Sequence, residues 1–133
     1  LLEKSVDFVF DYELDDAEDN KWGVKLKGSV SQEYADYVRR WDIKGIQRHA
    51  ANKNEKLPDM GTDEGAEFYA DETNARQYDL VLRCTVGWWG VTSGGDPLEF
   101  NEGNLKKLLN MKPGLVKQIA VAIEDDKNFM PAP

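Results

Sequence analysis

Apolar and polar positions alternate at the start of this chain. Val6, Phe8, Phe10 and Tyr12 fall on one side of a period-two pattern, and Asp7, Val9 and Asp11 fall on the other, which predicts a half-buried strand over 6–12. A polar run, Asp15-Asp16-Ala17-Glu18-Asp19-Asn20, interrupts it. Beyond the run, Trp22, Val24 and Leu26 alternate with Gly23, Lys25 and Lys27 and predict a second short strand. The two read as a hairpin, or as adjacent edge strands, joined by an acidic loop.

From residue 29 the period lengthens. Ser29 and Ser31 are both N-cap types, and Ser29 with Gln32 has the spacing of a capping box. Tyr34, Tyr37, Val38, Trp41 and Ile46 recur at helical spacing, so a helix is predicted at about 31–51, with Gly45 weakening or bending it. Its other face carries Arg39, Arg40, Lys44 and Arg48. A polar connection from Asn52 to Gly61, containing Leu57-Pro58, ends this part. Thr62 or Asp63 then caps a second long helix, with Glu64 and Glu67 near its positive end. Phe68, Ala75, Tyr78, Leu82 and Val86 form an approximate stripe, and Asp79 and Arg83 make an i,i+4 pair on the outside. Leu80, Leu82, Cys84 and Val86 also alternate as a strand would. The helical reading is preferred because no turn signal separates them from the preceding helix.

That helix is expected to stop abruptly in Val86-Gly87-Trp88-Trp89-Gly90-Val91-Thr92, with the indoles folded back onto the core. Gly94-Gly95-Asp96-Pro97 reads as a turn, and Asn101 caps a short helix bearing Leu105, Leu108 and Leu109. Met111-Lys112-Pro113 breaks it, and Pro113 suits the first turn of a last helix that buries Leu115, Val116, Ile119, Ala120 and Ile123. The expected fold is a small, mainly helical α+β domain with an N-terminal β-hairpin or strand pair. One domain spans 1–133: a strand pair with acidic loop over 1–28, a helical region over 29–127 and an extended tail over 128–133.

Composition narrows the function. Seventeen Lys plus Arg against twenty-five Asp plus Glu give a net charge of −8, a field that disfavours nucleic acid and anionic membranes as partners. A single cysteine, Cys84, rules out an intrachain disulfide and points to a reducing compartment. The apolar runs are too short to cross a bilayer and the first residues lack a secretory pattern, so a soluble intracellular protein is expected.

The candidate chemistry is sparse. An EF-hand counted from Asp11 puts Asp16 and Trp22 where glycine and glutamate belong, and one counted from Asp15 puts Asn20 and Leu26 there. His49 is the only histidine, and with Cys84 alone it cannot complete a zinc set. A Cys84–His49 nucleophile pair is disfavoured because Cys84 lies in an apolar segment, where thiols are usually buried and inert. Gly94-Gly95 lacks the spaced glycines and Lys-Ser/Thr ending of a phosphate loop. No catalytic, cofactor or metal motif is recognisable in the sequence, and an enzyme is the most distant of the readings.

Binding is the better class of reading. The face of Arg39, Arg40, Lys44 and Arg48 is either solvated or grips phosphates or an acidic partner; in an anionic molecule a protein is preferred to nucleic acid, one option being the acidic loop of a neighbouring copy in a ring or spiral. Trp88 and Trp89 are either an exposed anchor or core residues, with the core favoured for at least one. Phe129 and Met130 are a second candidate docking segment in a tail that by default frays.

The order of these features resembles the tail assembly chaperones of long-tailed, siphovirus-type bacteriophages. The matching residues are Gly23-Val24, Ser31-Gln32-Glu33-Tyr34, Val86 to Thr92, Gly95-Asp96-Pro97-Leu98-Glu99-Phe100, Asn104-Leu105, Leu108-Leu109 and Asn128-Phe129. The resemblance is strongest over 86–110 and rests on the order and spacing of short motifs. Where the family pattern often has Phe-Ser-x-Glu-Asn, this chain has Phe100-Asn101-Glu102-Gly103-Asn104, which removes the acidic partner of a capping box. The resemblance implies a protein made in the host bacterial cytoplasm that binds the tape-measure protein, helps tail-tube protein polymerise around it, and is absent from the mature virion. The competing readings are a structural tail-completion or head–tail connector protein and, from the charge, an acidic DNA-mimic inhibitor.

Overall fold

A computed structural model describes residues 8–15, 20–51, 59 and 61–130. Strands β1 (Phe10–Asp15) and β2 (Lys21–Leu26) pair antiparallel, with Phe10 opposite Leu26 and Leu14 opposite Trp22. The predicted alternation holds: Leu14 is buried and Phe10 and Tyr12 are half-buried, whereas Asp11, Glu13 and Asp15 face solvent. Val6 and Asp7, most of the acidic loop and most of the connection from Asn52 to Gly61 lie outside the described residues.

Helix α1 (Gln32–Ala51) begins at Ser31, whose buried hydroxyl accepts from the Tyr34 N–H at 3.2 Å. Ser29 does not form the capping box; its hydroxyl donates to Asp126 at 2.8 Å. Helix α2 (Asp63–Cys84) is capped by Thr62, which accepts from the Gly65 N–H at 3.0 Å. Its buried face is Leu80, Val81 and Cys84, whereas Ala75 of the expected stripe is exposed.

The helix gives way at Cys84 to a strand, β3 (Thr85–Trp89), which pairs antiparallel with β2 to make a three-stranded sheet of order β1-β2-β3. Thr85, Val86, Trp88 and Trp89 are β-branched or aromatic, and such side chains fit a pleated, half-buried surface better than a helix interior. Residues 29–127 are therefore not uniformly helical, and the tryptophans sit on a strand and not on a terminating helix. Val86, placed in the helical stripe from sequence, is an exposed strand residue.

A two-residue ladder, β4 (Thr92–Ser93) with β5 (Asp96–Pro97), turns through Gly94 and Gly95 at φ +60° and +88°, conformations that side chains with a Cβ rarely adopt. Helix α3 (Glu102–Met111) is capped by Asn101, which accepts from the Asn104 N–H at 2.8 Å. Helix α4 (Gly114–Glu124) follows Pro113 and buries Leu115, Ile119, Ala120, Ala122 and Ile123.

The predicted tail is also corrected. Asp126–Phe129 forms a closing 3-10 turn, held by the Asp125 side chain accepting from the Lys127 N–H at 3.1 Å and by Asn128 donating to the Ala122 carbonyl at 3.0 Å. Phe129 is buried against the edges of Phe8 and Phe10 at ring separations of 6.4 and 5.7 Å. Residues 131–133 lie outside the described part. One core joins the inward side chains of β1 and β2 with those of α2, α3, α4 and this turn. The result is a small α+β fold with an N-terminal hairpin.

Candidate functional site

The eight residues singled out from sequence fall into three separate neighbourhoods. In the first, the basic face of α1 turns towards α2. Arg48 donates to Glu72 at 2.9 Å, and Arg40 lies 3.9 Å from Asp79. Asp79 is not on the outside: it also accepts from the Trp41 indole at 2.9 Å and from Arg83 at 3.4 Å, so it serves as a hub between the helices. Lys44 and Arg76 flank the Trp41 ring at 4.6 and 5.1 Å, and Arg48 lies 5.6 Å from the centre of Phe68. These charges replace apolar packing along a helix pair whose α1 side is only lightly buried. Arg39 is exposed and lines a shallow groove of about 420 Å³ with Arg40, Ile43, Lys44 and Arg83.

The second neighbourhood is β3. Trp88 lies opposite Val24, its ring stands edge-on to Phe100 at 5.0 Å, and its indole N–H donates to the Leu98 carbonyl at 2.8 Å. Trp89 lies opposite Gly23, covers the space a Cβ there would need, and donates its indole N–H to Asp11. Both indoles therefore brace the sheet, and both donors are satisfied internally. In the third neighbourhood Phe129 is core, whereas Met130 remains 45% exposed. The structure does not bring the three groups together.

Cys84 and His49, the one nucleophile pair considered from sequence, are placed apart. Cys84 is fully buried and its thiol is pushed up to about 12, first by burial and then by Glu33 and Glu124, the opposite of an activated nucleophile. His49 is exposed in the last turn of α1, at the surface, so the two do not form a pair poised at one site. The Tyr34 hydroxyl donates to Glu124 at 2.7 Å; its pKa is raised, chiefly by burial and then by that carboxylate, so it stays protonated and ties α1 to α4. Among the described residues no group of three or more His, Cys, Asp or Glu is placed to hold a metal ion, and no helix is long and apolar enough to cross a membrane.

Sequence reasoning missed one surface feature. The corner between α3 and the β4–β5 turn forms a groove of about 350 Å³ lined by Trp22, Val91, Leu98, Leu108 and Met111, with Lys107 and Lys112 beside them. Its signal was available in part, since Leu108 and Met111 are i,i+3 neighbours on α3. The opposing wall depends on β3 and β4, which were not expected as strands. Compared with known protein families, with curated proteins and with solved structures, the chain matches none.

Proposed function

We propose that this chain is a tail assembly chaperone of a long-tailed bacteriophage, a protein that binds the tape-measure protein and promotes polymerisation of tail-tube protein around it. The observation that carries the reading is the ordered series Val86 to Thr92, Gly95 to Phe100, Asn104-Leu105 and Leu108-Leu109 within 86–110. Two features are in keeping with it. Trp41, Arg48, Asp79, Trp88 and Trp89 use their polar groups in contacts within the fold, and Val38, Ile43, Ile46 and Met111 leave apolar surface exposed between charged residues. A chaperone of a long, apolar-faced helical client needs that kind of surface, with many weak contacts and a solubilising charge. The net charge of −8 supplies the latter. In this reading the protein acts in the host cytoplasm, needs no cofactor and leaves before the virion is complete.

The test is co-expression with the tape-measure protein encoded in the same phage genome. The account expects the tape-measure protein to shift from the insoluble to the soluble fraction and to co-purify with this chain. No shift and no co-purification would refute it. Detection of the chain in purified virions by mass spectrometry would favour a structural tail component instead.

A further inference from the structure

The walls of the groove between α3 and the β4–β5 turn are held by the core and by hydrogen bonds of the fold, while its rim is left open. On one side the Leu98 N–H donates to the Val91 carbonyl at 2.9 Å, while the Leu98 carbonyl accepts from Trp88. At its corner Gly90 adopts φ +73°, and a Cβ there would stand 2.8 Å from the Lys21 carbonyl oxygen. On the other side Asn104 ties α3 to the preceding loop by donating to the Glu99 carbonyl at 2.8 Å. Met111 is 78% exposed, although it stands beside half-buried Leu108 and above buried Trp22. A flexible thioether at the mouth of a rigid apolar corner is a contact surface without its contact.

The charge around the groove identifies what would cover it. Of the four lysines in residues 103–123, a stretch with no acidic residue in a chain whose net charge is −8, Lys107 and Lys112 line the groove, and no acidic residue does. Lys106 pairs with Glu102 at 3.6 Å, whereas Lys107 and Lys112 make no ion pair among the described residues; the Lys112 ammonium lies 6.0 Å from the centre of the Trp22 ring. Leu108 and Met111 form a ridge on α3 of the kind that packs against a second helix. We infer that this groove docks an acidic amphipathic helix of another protein, with its apolar stripe on Leu98, Leu108 and Met111 and its carboxylates at Lys107 and Lys112. The inference goes beyond the chaperone reading and holds or fails independently of it, because it concerns helix chemistry and not the identity of the client.

The test uses a fluorescein-labelled peptide of about 18 residues, long enough to form a helix, with leucines at i,i+3 and i,i+4 spacing and glutamates flanking them. A control peptide carries lysine in place of glutamate. Fluorescence anisotropy should show saturable binding of the acidic peptide only, weakened at least tenfold by Met111→Glu and by the double change K107E/K112E, and weakened by added salt. Arg39→Glu should leave it unchanged. Because Met111 and both lysines are exposed, these variants should melt like the parent, and Met111→Ala provides a milder second probe. Absence of saturable binding, equal binding of both peptides, or loss caused by Arg39→Glu would overturn the inference. So would a parent protein that sediments as a dimer and becomes monomeric on Met111→Glu, since a second copy would then fill the groove.

Discussion

Replacing Phe129 by alanine tests whether this residue lies in a frayed segment or in the core. Phe129 is 6% exposed and packs edge-on against Phe8 and Phe10. Truncating a buried phenylalanine typically costs about 3–5 kcal/mol, from lost transfer energy and the residual cavity. The site lies on a terminal turn that can partly collapse, so a value near the lower end, about 3 kcal/mol, is expected. With total stabilities of about 5–15 kcal/mol for domains in general, that loss should be unmistakable. Urea unfolding followed by tryptophan fluorescence measures it directly, and Met130→Ala, at a 45% exposed position, should change stability by less than about 0.5 kcal/mol. A second substitution makes the test sharper. A Cβ on Gly28 would lie 2.6 Å from ring atoms of Phe129, so Gly28→Ala should cost about 1–3 kcal/mol by overpacking. In the Phe129→Ala background the methyl group enters vacated space, so the two costs should fall well short of additive. A Phe129→Ala cost below about 1 kcal/mol, or strict additivity with Gly28→Ala, would refute the packing described for this turn.

Three further predictions concern other parts of the fold. Asp79→Ala removes the acceptor for Trp41 and the counter-charge for Arg83 and Arg40, and should cost about 2–3 kcal/mol in a thermal or urea melt; an unchanged midpoint would mean that α1 does not depend on this hub. Gly90→Ala combines φ +73° with a backbone clash and should destabilise by at least about 1–3 kcal/mol, whereas Gly114→Ala, which meets open space, should not. Cys84 should resist a thiol reagent at pH 8 until the protein is unfolded. Because its folded pKa is raised from 9.0 to about 12, the unfolded state releases its proton first, so stability should fall as pH rises from about 9 towards 12. Cys84→Ala should remove the part of that decline that begins near pH 9, leaving the part from Tyr34 and Tyr37, whose pKa values burial also raises.

Much of the fold was legible where one period dominated. The alternation through Phe8, Phe10 and Tyr12 and through Trp22, Val24 and Leu26 marked the hairpin, and Thr62 and Asn101 marked the starts of α2 and α3. The switch at Cys84 was hidden because Leu80, Leu82, Cys84 and Val86 satisfy a strand period inside what begins as a helix. The β-branched and aromatic residues from Thr85 to Trp89 were the available signal, but the strand becomes stable only by pairing with β2, a tertiary event. The α1 cations looked like a solvated face because the acids that meet Arg40 and Arg48, Asp79 and Glu72, lie on another helix. Phe129 read as a tail because its partners Phe8 and Phe10 are more than a hundred positions away.

The proposed function meets its most direct test in the aggregation of its client. Tape-measure protein from the same phage genome, diluted out of denaturant, should scatter light strongly when alone and progressively less as this chain is added, with the effect saturating at a fixed ratio of the two proteins. Scattering that is unchanged by the chain, or reduced no more than by an unrelated acidic protein of equal size and charge, would contradict the chaperone account.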